Sequence, residues 1–178
     1  AAEAGVLVCA AKDGLSVGAE RCWKYLKSQS KPCFVYISKI DEENADFTAT
    51  LDALREKLGK SIVPVVAPIV DGGKVVGIVD IINKKAYKMS NDKKAKQEAM
   101  PIPDSAADMV EEMYAELMET AAGADEELME KFFETMELSA EEIVAGLKIG
   151  VREGSIAPAL CGSGVTGLGT EMLLQDII

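Results

Sequence analysis

Two runs in this chain, residues 5–11 (GVLVCAA) and 33–38 (CFVYIS), are apolar at almost every position, and each leads into an amphipathic pattern. A strand in a sheet with one wet face alternates apolar and polar residues. A strand apolar throughout is covered on both faces, as in parallel sheets packed between helices. The segments that follow read as those helices. Residues 18–28 place Ala19, Cys22, Trp23 and Leu26 on one face. Residues 46–58 place Phe47, Leu51, Leu54 and Leu58 at helical spacing, with Gly59 as the stop. Residues 156–161 return to a buried strand and 170–178 to a helix. The order predicts an α/β core. The first strand begins almost at residue 1 with no Met, which reads as a piece of a longer protein.

The pattern breaks in the middle. Residues 61–70 and 74–82 are β-rich runs joined by Asp71-Gly72-Gly73, an antiparallel hairpin signal. Pro64 and Pro68 make the first of these an edge or irregular strand. Residues 84–103 read as a polar loop carrying Lys84, Lys85, Lys88, Lys93, Lys94 and Lys96. Three helices are predicted beyond it. The first has Val110, Met113, Tyr114, Leu117 and Ala121 as its apolar stripe and ends at Gly123. The second covers residues 125–134. The third opens on the capping box Ser139-x-x-Glu142 and runs to about residue 153. The expected organisation is an α/β core from residues 1–58 and 155–178, interrupted by an α+β insert at 59–154 with one hairpin and about three helices.

Charge is concentrated in that insert. Residues 104–142 hold 14 Asp and Glu against one Lys, a net of −13, so the rest of the chain sums to +2 of the overall −11. Such a balance argues against a phosphate-binding face for DNA and fits a basic or small partner. The chain has no histidine, which excludes Ser-His-Asp and Cys-His nucleophiles and any zinc site with His ligands. Cys9, Cys22, Cys33 and Cys161 show no C-x-x-C spacing and read as buried free thiols of a reducing cytosol. No catalytic or metal-ligating residue is assigned. No apolar run is long enough to span a membrane.

Two phosphate motifs are decoys. Gly59-Lys60-Ser61 resembles the end of a P-loop, but the glycine needed five residues earlier is Leu54, on the apolar face of a helix. Residues 162–167 (GSGVTG) match G-x-G-x-x-G between a strand and a helix. The acidic ribose-binding residue about 20 positions on is missing, since the sequence stops at Ile178. The tetrad Ser38-Lys39-Ile40-Asp41 directly follows an apolar strand, where parallel sheets bind ligands. A carboxylate there can accept from guanine N1–H and the 2-amino group, while a lysine stem covers the base. Alone, Lys-x-Asp also fits a solvated turn.

Residues 36–47 (YISKIDEENADF) resemble the guanine-recognition loop of the translation elongation factor G family, N-K-x-D followed by a stretch like R-E-N-A-D-F. The segments GVLVCAAKDGLSVGAE, ALREKLGKSIVPVVA, DEELMEKFF and REGSIAPALCGS are similar to that family in the same order. The resemblance implies a partial P-loop-NTPase-like parallel core with its inserted subdomain, in the cytoplasm. It implies that Asp41 reads guanine, Lys39 covers the base, and Ser163 and Gly164 form a second guanine loop with the Gly164 N–H near O6. Ser38 stands where the family has asparagine, and Gly164 where it has alanine. No complete G-x-x-x-x-G-K-[ST] and no D-x-x-G occurs, so GTP or GDP with Mg²⁺ is expected in a full-length parent and no tight ligand on this segment, which is expected to be inactive alone. The family also implies the ribosome as partner, its stalk protein meeting the acidic helix at Glu111, Glu112, Glu116 and Glu119. The alternatives are a non-catalytic acidic module that binds a basic protein and, further off, a dinucleotide-enzyme fragment.

Overall fold

The computed structural model describes residues 2–89 and 98–177. The first half alternates as the apolar runs predict: β1 (Gly5–Ala10), α1 (Val17–Ser28), β2 (Cys33–Ser38) and α2 (Phe47–Leu58). Ser16 caps α1 by accepting from the Ala19 N–H at 3.1 Å, and Asp46 caps α2 by accepting from Ala49 at 2.9 Å. Strand β3 (Ile62–Pro64) follows, and β8 (Ala157–Cys161) enters from the far end of the chain. These four strands form one parallel sheet in the order β1-β2-β8-β3. Val6 sits opposite Phe34, Val35 opposite Ala159, and Ile62 opposite Ala157.

The run 61–70 is therefore not one hairpin strand. Its first part, Ile62–Pro64, belongs to the parallel sheet, and the chain changes sheets at Val65. The Val65 N–H donates to the Ala159 carbonyl at 2.9 Å, while its own carbonyl accepts from the Ile81 N–H at 3.0 Å. Beyond it, β4 (Val66–Asp71) and β5 (Lys74–Asp80) make the predicted hairpin, and β6 (Lys85–Lys88) and β7 (Ala99–Met100) extend it to a four-stranded antiparallel sheet. The stretch read as a lysine-rich loop thus carries two short strands. Ala86, 2% exposed, anchors the first. Lys93, Lys94 and Lys96 lie outside the described residues.

Three helices complete the insert: α3 (Asp104–Ala122), α4 (Glu126–Thr135) and α5 (Ala140–Glu153). The Ser139–Glu142 capping box forms as predicted, with bonds of 3.3 and 2.8 Å. Helix α6 (Thr170–Ile177) ends the described chain. One apolar core runs through both sheets, from Val35, Ile37 and Leu54 through Val65 and Val66 to Ile69, Ile78, Leu117 and Ile143.

Two expectations are corrected here. Cys22 is exposed, because Ala19, Trp23 and Leu26 define the inner stripe of α1 and Cys22 lies off it; Cys9, Cys33 and Cys161 are buried. Burial pushes those three thiols up, Cys33 to about 11, which keeps them protonated and unreactive. Strand β1 is covered on one face only. Leu7 and Cys9 are buried, whereas Val6 and Val8 are 41% and 58% exposed at the edge of the sheet.

Candidate functional site

The tetrad and the second loop meet at the C-terminal end of the parallel sheet. Ser38 is the last residue of β2, and its Oγ donates to the Cys9 carbonyl at 3.2 Å. That bond ties β2 to β1, so the serine hydroxyl braces the strand end. Lys39 then takes a left-handed backbone, φ +60°, which turns the chain sharply. A non-glycine residue held there costs about 1–3 kcal/mol and persists only when its surroundings fix it. The fixing contact is next door: Ile40 is 2% exposed in the core. Asp41 is half-buried, and its carboxylate accepts no hydrogen bond among the described residues. The Lys39 ammonium lies 3.4 Å from Glu42.

Gly162 joins the two loops. Its N–H donates to Ile37 at 3.0 Å and its carbonyl accepts from the Ile40 N–H at 3.4 Å. Asp41 and Gly164 therefore stand one and two residues from a shared hydrogen bond. Gly162 has no room for a side chain, because a Cβ would overlap the Tyr36 hydroxyl and the Leu168 carbonyl. Ser163 is fully buried. Its Oγ accepts from the Val165 and Thr166 N–H groups, both at 3.2 Å, its N–H donates to Leu168 at 2.9 Å, and its carbonyl accepts from Gly167 at 2.8 Å. The hydroxyl shapes its own loop and is not offered to a ligand. Gly164 is exposed, with open space where a Cβ would sit, and its N–H has no protein acceptor among the described residues.

The site thus presents a free carboxylate, a free N–H and a lysine stem on two loops locked together. That set matches the N1–H, 2-amino and O6 groups along one edge of guanine. Among the described residues nothing comparable exists for phosphate or Mg²⁺, and no group of three His, Cys, Asp or Glu stands close enough to hold a metal ion. Gly59 ends α2 and Leu54 is 0% exposed beneath it, so the Gly59-Lys60-Ser61 decoy forms no cradle. The G-x-G-x-x-G loop closes on itself through Ser163.

The acidic set divides. Glu111 pairs with Lys84 at 2.7 Å, and that ammonium also lies 4.0 Å from the centre of the Tyr114 ring. Glu116 pairs with Arg55 at 2.5 Å, and the Arg55 Nε donates to the Ile62 carbonyl at 2.9 Å, so this pair straps α3 to the core. Glu112 and Glu119 are exposed and form no ion pair among the described residues. Tyr36 and Leu168, which crowd against Gly162 behind the two loops, were not picked out from the sequence. The available signal was a lone phenol in an apolar run, two residues before the tetrad.

The family model for the elongation factor Tu GTP binding domain matches residues 1–178. An "Elongation factor G-like protein" of Thermotoga maritima is 33% identical over 162 residues, covering 91% of this chain and 23% of that protein. A crystal structure of a Thermus thermophilus protein superposes with a TM-score of 0.89 at 31% identity, covering 99% of this chain and 26% of that one. The chain spans about a quarter of the length of these relatives. Two loops converging at the end of a parallel sheet and a family match along its whole length make this chain a member of the elongation factor Tu GTP-binding domain family.

Proposed function

We propose that this chain is the base-recognition and insert portion of a larger cytoplasmic factor, similar to elongation factor G, that binds and hydrolyses GTP on the ribosome in translocation or a related step. The observation that carries the reading is the Ile40–Gly162 hydrogen bond, which joins the two loops that carry Asp41 and Gly164, both with their polar groups free among the described residues. In it, Asp41 accepts from guanine N1–H and the 2-amino group, Gly164 donates to O6, Lys39 covers the base, and Ser38 and Ser163 brace the two loops. Phosphates and Mg²⁺ are held by residues elsewhere in the larger protein. The bare Val6 and Val8 on one face of β1 support this, since a helix from a further segment would cover such a face. The test is paired. The full-length protein hydrolyses GTP with ribosome stimulation, and the 178-residue chain alone binds GDP more weakly than micromolar, because phosphate contacts supply much of the affinity of such sites. Submicromolar GDP affinity of the chain alone, or a full-length protein inert to GTP, overturns the reading.

The net charge of −13 in 39 residues favours a partner surface on the insert. We assign it to the ribosomal stalk protein, met through Glu112 and Glu119, since Glu111 and Glu116 are spent on internal pairs. Reversing Glu112 and Glu119 to Lys should slow ribosome-stimulated hydrolysis about tenfold at low salt, with the difference fading as salt rises. An unchanged rate at every salt concentration reduces the face to a solvated one. Loss of partner binding in a protein that never hydrolyses GTP would favour the non-catalytic module instead.

A further inference from the structure

Strand β2 alternates. Val35 and Ile37 are 0% exposed on one face, and Phe34 and Tyr36, at 7% and 8%, lie on the other. A phenylalanine at position 36 would bury the same ring. The chain instead carries a phenol whose hydroxyl is buried with no hydrogen bond among the described residues. Buried polar atoms without partners are rare, because each forfeits the water it left behind, and one that persists calls for a reason.

The surroundings of that oxygen supply one. It lies against Gly162, the residue that joins the two loops, and the Leu168 carbonyl crowds the same point. Leu168 already accepts from the Ser163 N–H at 2.9 Å, and a carbonyl has a second lone pair to offer. The Thr170 hydroxyl and the Asp41 carboxylate are the other polar neighbours. Burial pushes the phenol pKa up, a contact with the Thr170 hydroxyl, too poor in geometry for a full hydrogen bond, pulls it back, and the Asp41 carboxylate adds a smaller upward push. The hydroxyl thus lies against the residue that joins the two loops and within the field of the Asp41 carboxylate.

We infer that Tyr36 is a positioning residue for base recognition: when a base seats against the 162–169 loop, the Tyr36 hydroxyl turns to donate to the Leu168 carbonyl and so holds Ser163 and the direction of the Gly164 N–H. The inference rests on the guanine reading of the site. In the free chain the hydroxyl has only the poor contact with Thr170 and contributes little to stability. In the bound state it gains its partner, so its effect falls on nucleotide affinity alone. The contact acts through Gly164, so it is felt only by a base that has an O6.

The test is Tyr36→Phe in the full-length protein. The free protein should melt at or above the wild-type midpoint. Its affinity for GDP should fall about 5–10-fold, the worth of one net hydrogen bond. Its affinity for 2-aminopurine riboside diphosphate, which lacks O6, should match wild type. A lower midpoint with equal losses for both nucleotides makes Tyr36 a packing residue and overturns the inference. So does GDP affinity within twofold of wild type while Asp41→Asn weakens GDP in the same assay, an outcome that leaves the guanine reading standing. If Asp41→Asn has no effect on GDP either, the guanine reading falls and the inference with it.

Discussion

Asp41→Asn in the full-length protein is expected to cut its preference for GTP over XTP by about a hundredfold. The carboxylate at this position accepts no hydrogen bond among the described residues and is half-buried, so it is free to take both the N1–H and the 2-amino group of guanine. An amide of the same shape offers one acceptor and one donor. Its donor faces a guanine donor, leaving a polar group unmet at about 1–3 kcal/mol. Against xanthine, whose 2-position is a carbonyl, the same donor finds an acceptor. The loss on one base and the gain on the other add. Competition between GTP and XTP for the wild-type and variant proteins measures the swing directly. An unchanged ratio removes Asp41 from base reading.

Leu54→Ala should lower the stability of the fold by about 2–5 kcal/mol, since the side chain is 0% exposed on the inner face of α2 within the shared core. Against the roughly 5–15 kcal/mol that holds a domain together, this is a large fraction. It corresponds to a fall in melting midpoint of roughly 4–20 °C. A thermal or denaturant melt of the 178-residue chain reads it. A cost under about 1 kcal/mol would mean that α2 is not anchored through this residue. The position carries a second lesson, because it is where a phosphate loop would require glycine. A side chain whose loss is so costly is part of the core and cannot be part of a loop.

The features legible in the sequence were those set by neighbours along the chain. The all-apolar runs of β1 and β2, the stripe Phe47-Leu51-Leu54, the Ser139–Glu142 box and the Asp71-Gly72-Gly73 turn each carry their own signal. What escaped was set by partners far away. The run from Ile62 to Val70 is uniformly apolar, and nothing local marks Val65 as the change of sheet; the pairing of its two halves with β8 and β5 does. Strand β6 borrows its conformation from β5, so lysines on either side of Ala86 concealed it. Val6 and Val8 look as buried as Leu7 and Cys9 until the cover over each face is known. In the site, Lys39 and Asp41 could be picked out by type and spacing. Gly162 and Leu168 gain their meaning only from the Ile40, Tyr36 and Ser163 atoms that meet them across the fold. Likewise the acidic helix gave no hint that Arg55 and Lys84 claim two of its four glutamates.

The double duty of Val65 bears on how such a protein can change by descent. Its N–H serves the strand that leads to Gly162, and its carbonyl serves the segment after β5. A deletion that removed residues 65–154 would leave only Ser155 and Ile156 to lead from the end of β3 back to the start of β8, and a crossover between parallel neighbours takes about a dozen residues or more. Residues 65–154 are spliced into the sheet and cannot be shed as a cassette. A lineage that lost them would have to supply another crossover in the same step, which makes gradual loss a closed route and retention the default.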